Sequence, residues 1–493
     1  MLVRIKSLAG QSIIYGLGGI LPKIIGFLLI PLYTQFLSPA DYGILAFTAS
    51  VGSVLSILYE LGIAGAVTRF YYDFLEKPGE MRAYLATIWV FLTGFAFLFS
   101  LFLTWQGDAI FSLLFKETPF YPYGLYIVWL SFFATADVIP LMLFRVREQA
   151  KLYVIYSVSR FLVSTVAIVY FVASLQRGAV GSLQGQLLAN LVYFIPFSLV
   201  TLRNAMPAIR RGYLNATLRF SLPLVPHQLS GWALSISDRI LLERYVSLDQ
   251  LGLYSLGYRL AMVLDLVLTS INMAWSPFFY RTASTEEDAP HTFARITTYF
   301  TILMLSLSLP IALLAKDLLL IMANPEFLDA YKVVPVVVLA FIAHGFYYML
   351  VNQLFYAKKT RNLPIYTLIA ATVNIVLNLL TLEQFGIMAA AWNTVIGYSI
   401  LTFLVYFEST RVYPVPYEFR RILIALLAFG ITFLVSNQVS LANPYLDIIA
   451  RSLAMLAFPT LLFLLPFFTP QEIKGIKSLP TRLRRRRSTH KIV

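Results

Sequence analysis

Ionisable side chains inside apolar segments are the residues of this sequence whose chemistry stands out. Lys23, Arg160, Arg239 and Arg259 each lie within a long hydrophobic block. A charged group is costly inside a membrane, so such residues face a cavity or a partner and are functional candidates. Guanidinium groups offer phosphate oxygens a planar fork of donors, and an ammonium group offers a point charge. The set predicts a cavity that receives an anionic, phosphate-bearing ligand.

The acidic residues within the same segments suit a second role. Asp137, Asp238 and Asp265 lie well inside hydrophobic blocks, and His227 shares a helix face with Asp238. A group that takes up a proton, or pairs with sodium, in one conformation only couples ion movement to conformational change. We therefore predict these four residues as ion-coupling candidates, with the choice between H⁺ and Na⁺ left open.

Simpler structural explanations exist for the same residues. Lys23 lies on a glycine-lined helix face that could pack against a neighbour while the amine reaches towards water. Arg160 could be an anchor of the same kind. The adjacent Asp238 and Arg239 could form an ordinary structural ion pair.

Asparagines on one predicted helix face give a further polar surface. Asn374 and Asn378 are one helical turn apart, so their side chains project from the same face. We predict them as polar groups of the cavity. Alternatively, they join helices through interhelical hydrogen bonds.

The elements that must position these residues are membrane-spanning helices. Of the 493 residues, 59% are hydrophobic and 13% are charged, whereas a soluble domain is about 25% charged. The apolar residues form blocks of about twenty, enough to cross roughly 30 Å of hydrocarbon. The pattern predicts an all-α membrane protein of about fourteen transmembrane helices. The predicted spans are 10–34, 42–67, 83–105, 123–144, 153–175, 181–202, 220–243, 252–279, 296–315, 333–355, 364–382, 386–407, 422–439 and 448–468.

Positive charge is concentrated in the loops on one side of these spans. The net charge is +14, yet the loops of the other side contain only Lys116, Arg177, Arg244, Lys316 and Lys332 as basic residues. By the positive-inside rule, both termini lie in the cytoplasm, in a bacterial or archaeal inner membrane. This distribution accounts for the net positive charge, so we predict no nucleic-acid partner. The basic tail could bind anionic lipid or only fix the topology.

The composition argues against a resident metal and against catalysis. There is no cysteine, and the four histidines are scattered. No nucleophile has a neighbouring base, and no phosphate-cradling glycine loop is present. We predict a non-enzyme without a cofactor, apart from the coupling ion.

An internal repeat organises the spans. The segment around Gly43 resembles the one around Gly252, at an offset of 209 positions, and the same offset places Phe70 on Phe279. We predict two parallel six-helix bundles, residues 1–215 and 216–420, followed by two accessory helices (421–470) and a basic tail (471–493). Substrate sites in such transporters lie between the bundles near the midplane.

Several motifs in this order resemble those of the polysaccharide-biosynthesis flippases of the multidrug/oligosaccharidyl-lipid/polysaccharide exporter superfamily. The resemblance covers roughly residues 1–470. The motifs are Ile30-Pro31-Leu32-Tyr33, Leu37-Ser38-Pro39-Ala40-Asp41-Tyr42-Gly43, Ser237-Asp238-Arg239-Ile240, Leu251-Gly252-Leu253-Tyr254 and Asn374-Ile375-Val376-Leu377-Asn378.

The resemblance implies a V-shaped transporter of two lobes. Its substrate would be an undecaprenyl-diphosphate-linked oligosaccharide, an O-antigen or exopolysaccharide repeat unit of lipopolysaccharide or polysaccharide biosynthesis. Alternating access would carry it from the cytoplasmic to the periplasmic leaflet, with a polysaccharide polymerase and a chain-length regulator as possible partners. The substrate-binding residues that it implies are Lys23, Arg160, Arg239 and Arg259 in the cavity, with Arg69 and Arg145 at the cytoplasmic entrance.

Three other functions compete with this one. A drug or cation antiporter of the same superfamily would be expected to have twelve spans and a cavity dominated by carboxylates. A lipid II flippase would be expected to have more cations early in the first two helices. A membrane enzyme such as a polymerase would need a larger outer loop than the sequence contains.

Overall fold

The computed structural model describes residues 26–206, 209–439, 444–470 and 472–473, and in this part the chain is helical without β strands. Lys23 and the basic tail lie outside the described residues. The helices of the first half are α1 Ile30–Phe36, α2 Pro39–Glu60, α3 Ile63–Asp73, α4 Pro78–Leu114, α5 Leu125–Ala134, α6 Val138–Val146, α7 Ala150–Val169 and α8 Gly178–Arg203.

The second half follows a short connecting helix, α9 Arg211–Ser221. Its helices are α10 Val225–Tyr245, α11 Leu248–Ala261, α12 Val263–Thr285, α13 Ala289–Leu313, α14 Ala315–Met322, α15 Val334–Tyr356, α16 Leu363–Val412, α17 Phe419–Asn437, α18 Pro444–Ala454 and α19 Ala457–Leu464. Short 3-10 or π-helical segments lie at Phe120–Gly124, Thr135–Asp137, Tyr170–Ser174, Leu222–Leu224 and Pro325–Lys332.

The number of membrane-crossing helices is not confirmed as fourteen. Eleven helices among the described residues are long and apolar enough to span a bilayer. The predicted spans 364–382 and 386–407 are counted as one because α16 continues through a kink at Gly386, where φ is +54°. The helix α10 is not among the eleven; it contains Asp238, Arg239, Glu243 and Arg244.

The two-lobe architecture is confirmed. In the first lobe α2, α5, α7 and α8 pack together, and in the second lobe α16 packs against both α10 and α15. The helix α2 joins the lobes, because it contacts α10 and α11 of the second lobe. The accessory helix α17 packs on α13. The boundary predicted after residue 215 falls within α9 and that after 420 in the first turn of α17, so the domain limits remain a proposal.

Local sequence explains how the repeated segment begins a helix in each half. Ser38 caps α2: its Oγ accepts a hydrogen bond from the Asp41 backbone N–H (3.1 Å), and Asp41 accepts one from the Ser38 N–H (3.3 Å). Ser247 caps α11 in the same way through the Gln250 N–H (3.4 Å). The Asp41 carboxylate also accepts from the Ala179 N–H (2.9 Å), which fixes the start of α8 against α2.

The two repeated segments meet each other. We call the end of the molecule that carries residues 115–119 and 245–248 the distal end, and the opposite end, with residues 74–78 and 204–206, the basic end. At the distal end Gly43 of α2 lies against Gly252 of α11. A side chain on Gly43 would overlap the Leu248 carbonyl, and one on Gly252 would overlap the Pro39 carbonyl. Glycine therefore lets the two backbones touch at equivalent positions of the repeat.

Candidate functional site

A cavity of about 680 Å³ lies between the lobes, in the usual size range of ligand sites. It is bordered by α1, α2 and α8 on one side and by α10, α11, α12, α15 and α16 on the other. We call it the interlobe cavity. Its polar lining includes Tyr42, Ser53, Gln186, Arg239, Tyr258, Arg259, Asp265, His344 and Tyr398.

The guanidinium of Arg259 is held in the interlobe cavity by neutral oxygens. It donates to the Tyr42 hydroxyl (3.1 Å) and to the Gly26 carbonyl (2.8 Å), both in the first half of the chain. Among the described residues, no carboxylate lies within 4.0 Å of it. Its positive charge is therefore positioned but not neutralised by a direct ion pair within the described part of the chain.

Asp238 and Arg239 pair with each other. An Asp238 oxygen accepts from the Arg239 guanidinium (2.9 Å) and from the Arg239 backbone N–H (2.8 Å), and the other oxygen accepts from the Tyr254 hydroxyl. The guanidinium carbon lies 4.2 Å from the centre of the Tyr258 ring, a cation–π distance. The carboxylate thus balances the Arg239 charge, and the guanidinium can meet a ligand only together with Asp238.

Asp265 lies in the second-lobe wall of the interlobe cavity. It is within electrostatic range of the hydroxyls of Tyr258, Tyr348 and Tyr398. His344 lines the same wall, with its ring centroid 4.5 Å from that of Tyr398. Within the described residues its Nδ1 has no hydrogen-bond partner. The sequence analysis did not predict His344 as a cavity residue. The pattern that could have indicated it is the pair Tyr347 and Tyr348, one turn further along the same helix.

A second cavity, of about 530 Å³, lies inside the first lobe between α2, α5, α7 and α8. We call it the first-lobe cavity. Arg160 of α7 lines it and forms an ion pair with Asp137, in the turn before α6. Arg160 also donates to the Asn190 side-chain oxygen (2.8 Å), and Asn190 donates to the Leu130 carbonyl (3.0 Å). The structure therefore pairs Arg160, which was predicted to bind substrate, with Asp137, which was predicted to bind a coupling ion.

The two cavities are adjacent. Leu45, Ala49, Ser53 and Gln186 line both of them. Three of these residues are on α2, so this helix is the common wall. At this border Trp232 of the second lobe donates from its indole N–H to the Ser53 hydroxyl (2.8 Å).

Three predicted site residues are exposed and line neither cavity. Arg69 forms an ion pair with Asp73 one turn along α3. Arg145 donates to the Tyr153 hydroxyl (3.0 Å) and lies 5.1 Å from its ring centre. His227 is exposed near the start of α10. The remaining predicted cation, Lys23, lies outside the described residues.

Asn374 and Asn378 are buried inside the second lobe and line neither described cavity. The Asn378 amide donates to the Asn374 side-chain oxygen (3.2 Å), and the Asn393 amide donates to Asn378 (2.9 Å). The bond from Asn393 joins the two arms of α16 on either side of the kink, whereas the bond between Asn374 and Asn378 lies within one arm. The geometry is that of interhelical hydrogen bonding.

A carboxylate that the sequence analysis overlooked fastens the lobes at the distal end. Glu243 of α10 is fully buried and accepts hydrogen bonds from three consecutive backbone N–H groups of the first half: those of Lys116 (3.0 Å), Glu117 (2.8 Å) and Thr118 (2.7 Å). We call this arrangement the distal clasp. Because its donors are backbone groups, no side-chain pattern in the sequence marks it.

In the part of the chain that the structure describes, no group of three or more His, Asp or Glu residues could hold a metal ion. Arg451, a further cation within a predicted span, is paired with Asp447 (2.9 Å) and Asp317 (3.4 Å) and lines neither cavity.

Solved structures with the same fold are membrane flippases and transporters. The chain is similar to the lipid II flippase MurJ in an inward closed conformation, with a TM-score of 0.73, 13% identity, and 92% of this chain and 99% of that chain covered. It is also similar to a multidrug-resistance MATE family transporter in an inward-facing conformation, with a TM-score of 0.64, 14% identity, and coverage of 79% and 94%. At these identities the likeness establishes the fold alone.

Sequence comparison identifies the family. A protein of the Lsg locus of Haemophilus influenzae is 22% identical over 408 residues, which cover 82% of this chain and 98% of that protein. The family model described as polysaccharide biosynthesis protein matches residues 8–283, more than half of the chain. The chain therefore belongs to the polysaccharide biosynthesis protein family, as the sequence motifs indicated, and it is a multi-pass membrane protein with the fold of these flippases and transporters.

Proposed function

We propose that this protein is a flippase for an oligosaccharide linked through diphosphate to undecaprenol. It carries the substrate from the cytoplasmic to the periplasmic leaflet, and the two lobes expose the interlobe cavity alternately to each side. Membership of the polysaccharide biosynthesis family and the two-lobe transporter fold support this proposal. The termini and the basic end are then cytoplasmic, in agreement with the positive-inside rule.

Arg259 is the observation that carries the proposal. Of the three described cavity arginines predicted to bind substrate, Arg160 and Arg239 are each matched by a carboxylate at contact distance, whereas Arg259 is held by a hydroxyl and a carbonyl. A phosphate oxygen arriving at Arg259 gains a charge-assisted hydrogen bond without displacing a resident anion. Its partners are Tyr42 of α2 and Gly26, which precedes α1, so phosphate binding and the relative position of the lobes are linked.

A coupling ion fits best at Asp265. This carboxylate lies in the same cavity as Arg259 but on the wall formed by the second-lobe tyrosines, beside His344. Proton or sodium binding at this wall would change the charge that the cavity presents to a phosphate. Asp137 and Asp238 form ion pairs with arginines and do not line this wall.

The direct test is depletion of the protein in its native cells. Lipid-linked oligosaccharides should then accumulate where a membrane-impermeant sugar oxidant, added to intact spheroplasts, cannot reach them. An unchanged surface polysaccharide with a rise in drug sensitivity would instead establish the antiporter function. Accumulation of lipid II would establish the lipid II flippase function.

Complementation by variants tests the phosphate role. At equal protein levels, Arg259→Gln should lower oligosaccharide export about tenfold or more, since a charge-assisted hydrogen bond contributes roughly 1.5–3 kcal/mol. Arg281→Gln is the matched control, because it removes the same charge from an exposed position that lines neither cavity. Equal export by the two variants would refute the assignment of Arg259.

A further inference from the structure

Apart from Arg160, the lining of the first-lobe cavity is uncharged and rich in hydrogen-bonding groups. Two of its hydroxyls, those of Ser53 and Ser56, donate to carbonyls of their own helix (2.6 and 3.0 Å). A hydroxyl has one donor and two acceptor positions, so both retain acceptor capacity. Ser157 and Ser164 of α7 make no hydrogen bond with any described residue, so their donors are also available.

The charges in this cavity cancel. Arg160 is paired with Asp137, and Asn190 completes its contacts. A phosphate here would meet a guanidinium already matched by an acid, and it would have to compete with that carboxylate. An uncharged ligand with many hydroxyl groups meets no such obstacle, because the pair and its amide offer it fixed donors and acceptors. The aromatic ring of Phe161 adds an apolar surface against which a sugar ring can lie.

The position relative to Arg259 fits a single elongated ligand. The first-lobe cavity and the interlobe cavity share the α2 wall at Leu45, Ala49 and Ser53. A ligand with phosphate at one end and sugars at the other could therefore occupy both spaces. The indole of Trp232 contacts the shared Ser53, so the second lobe reaches the border between them.

We propose that the first-lobe cavity is a glycan subsite, which binds the uncharged sugar residues next to the diphosphate while Arg259 binds the phosphate. This inference rests on the proposed function. It also gives Arg160 a different role from the one predicted from the sequence: together with Asp137, it binds sugar hydroxyls and not phosphate.

Two lipid probes separate the subsites. The purified full-length protein in nanodiscs is titrated with farnesyl diphosphate and with N-acetylglucosaminyl farnesyl diphosphate, and Kd is measured for each. The wild-type protein should bind the glycosylated probe more tightly. The double variant Ser157→Ala/Ser164→Ala should weaken binding of the glycosylated probe about tenfold and leave Kd for farnesyl diphosphate unchanged, since it removes two hydrogen bonds to sugar only. Arg259→Gln should weaken binding of both.

Each outcome bears on one proposal. Equal affinity of the wild-type protein for the two probes would overturn the glycan subsite and leave the flippase proposal standing. Failure of either probe to bind would overturn the flippase proposal. Retained binding of farnesyl diphosphate shows that a variant is folded. Ser164→Leu, which fills the cavity with an apolar side chain, is a second variant, and an unchanged preference for the glycosylated probe in it would also overturn the subsite.

Discussion

Replacing Glu243 by Gln should weaken the closure of the distal end. Its carboxylate accepts three backbone hydrogen bonds of 3.0, 2.8 and 2.7 Å while fully buried. The amide of glutamine keeps one acceptor oxygen, which can still serve Glu117 and Thr118 as an uncharged acceptor. Its NH₂ group, however, would face the N–H of Lys116, donor against donor.

The free-energy cost of this substitution to the closed state follows from the three hydrogen bonds. Charged hydrogen bonds contribute roughly 1.5–3 kcal/mol and uncharged ones roughly 0.5–1.5 kcal/mol. Losing one bond and weakening two therefore costs the closed distal end about 3–5 kcal/mol. Each 1.4 kcal/mol is a factor of about ten in an equilibrium constant. The ratio of closed to open molecules should fall at least about a hundredfold.

Spin-label distances across the distal end measure this change. Because the chain has no cysteine, cysteines introduced at Ser112 in the first lobe and Glu326 in the second are the only labelling sites. The distance distribution should shift to longer values in Glu243→Gln. Glu117→Gln is the matched control: its side chain is exposed, and only its backbone N–H takes part in the clasp. If Glu243→Gln and Glu117→Gln give the same distance distribution, the distal clasp does not hold the distal end closed.

Three further predictions follow from the packing and the cavities. Gly252→Ala should also favour an open distal end, because the new Cβ overlaps the Pro39 carbonyl, and the same spin labels measure it. Asn378→Ala should lower Tm, because it removes the donor to the buried Asn374 side-chain oxygen and an acceptor of the Asn393 NH₂ group; an unchanged Tm in a thermal-shift assay would contradict this. Asp265→Asn should remove the dependence of oligosaccharide transport into proteoliposomes on a proton or sodium gradient, and a retained dependence would place coupling elsewhere.

Much of the fold was predictable because membrane helices are read from local composition. Runs of apolar residues predicted the helices, and the repeat predicted two lobes that the structure confirms. The helix α2 begins at Pro39, three residues before the predicted span 42–67, because Ser38 and Asp41 cap it. The count of spans was harder: α16 continues through Gly386, and α10 has several ionisable residues.

Charge pairing in the cavities was not predictable in the same way. Arg160 and Asp137 belong to different helices, and only tertiary packing brings them together. The ion pair between the adjacent Asp238 and Arg239 was one of two explanations that the sequence left open, and the structure contains it. A surplus of cations in the sequence therefore did not reveal which cation lacks a carboxylate partner among the described residues.

The contact of Gly43 with Gly252 has a consequence for the membrane as an electrical barrier. A membrane potential is worth about 2.3 kcal/mol per elementary charge for every 100 mV, so even a narrow file of water through a transporter would let protons run down the gradient. Interdigitated side chains would also block such a path, but they would have to change rotamer in every transport cycle. Two glycine surfaces leave little room for water when they touch, and they part without changing a rotamer. In the proposed transport cycle, this glycine contact would part and close again without a change of side-chain conformation.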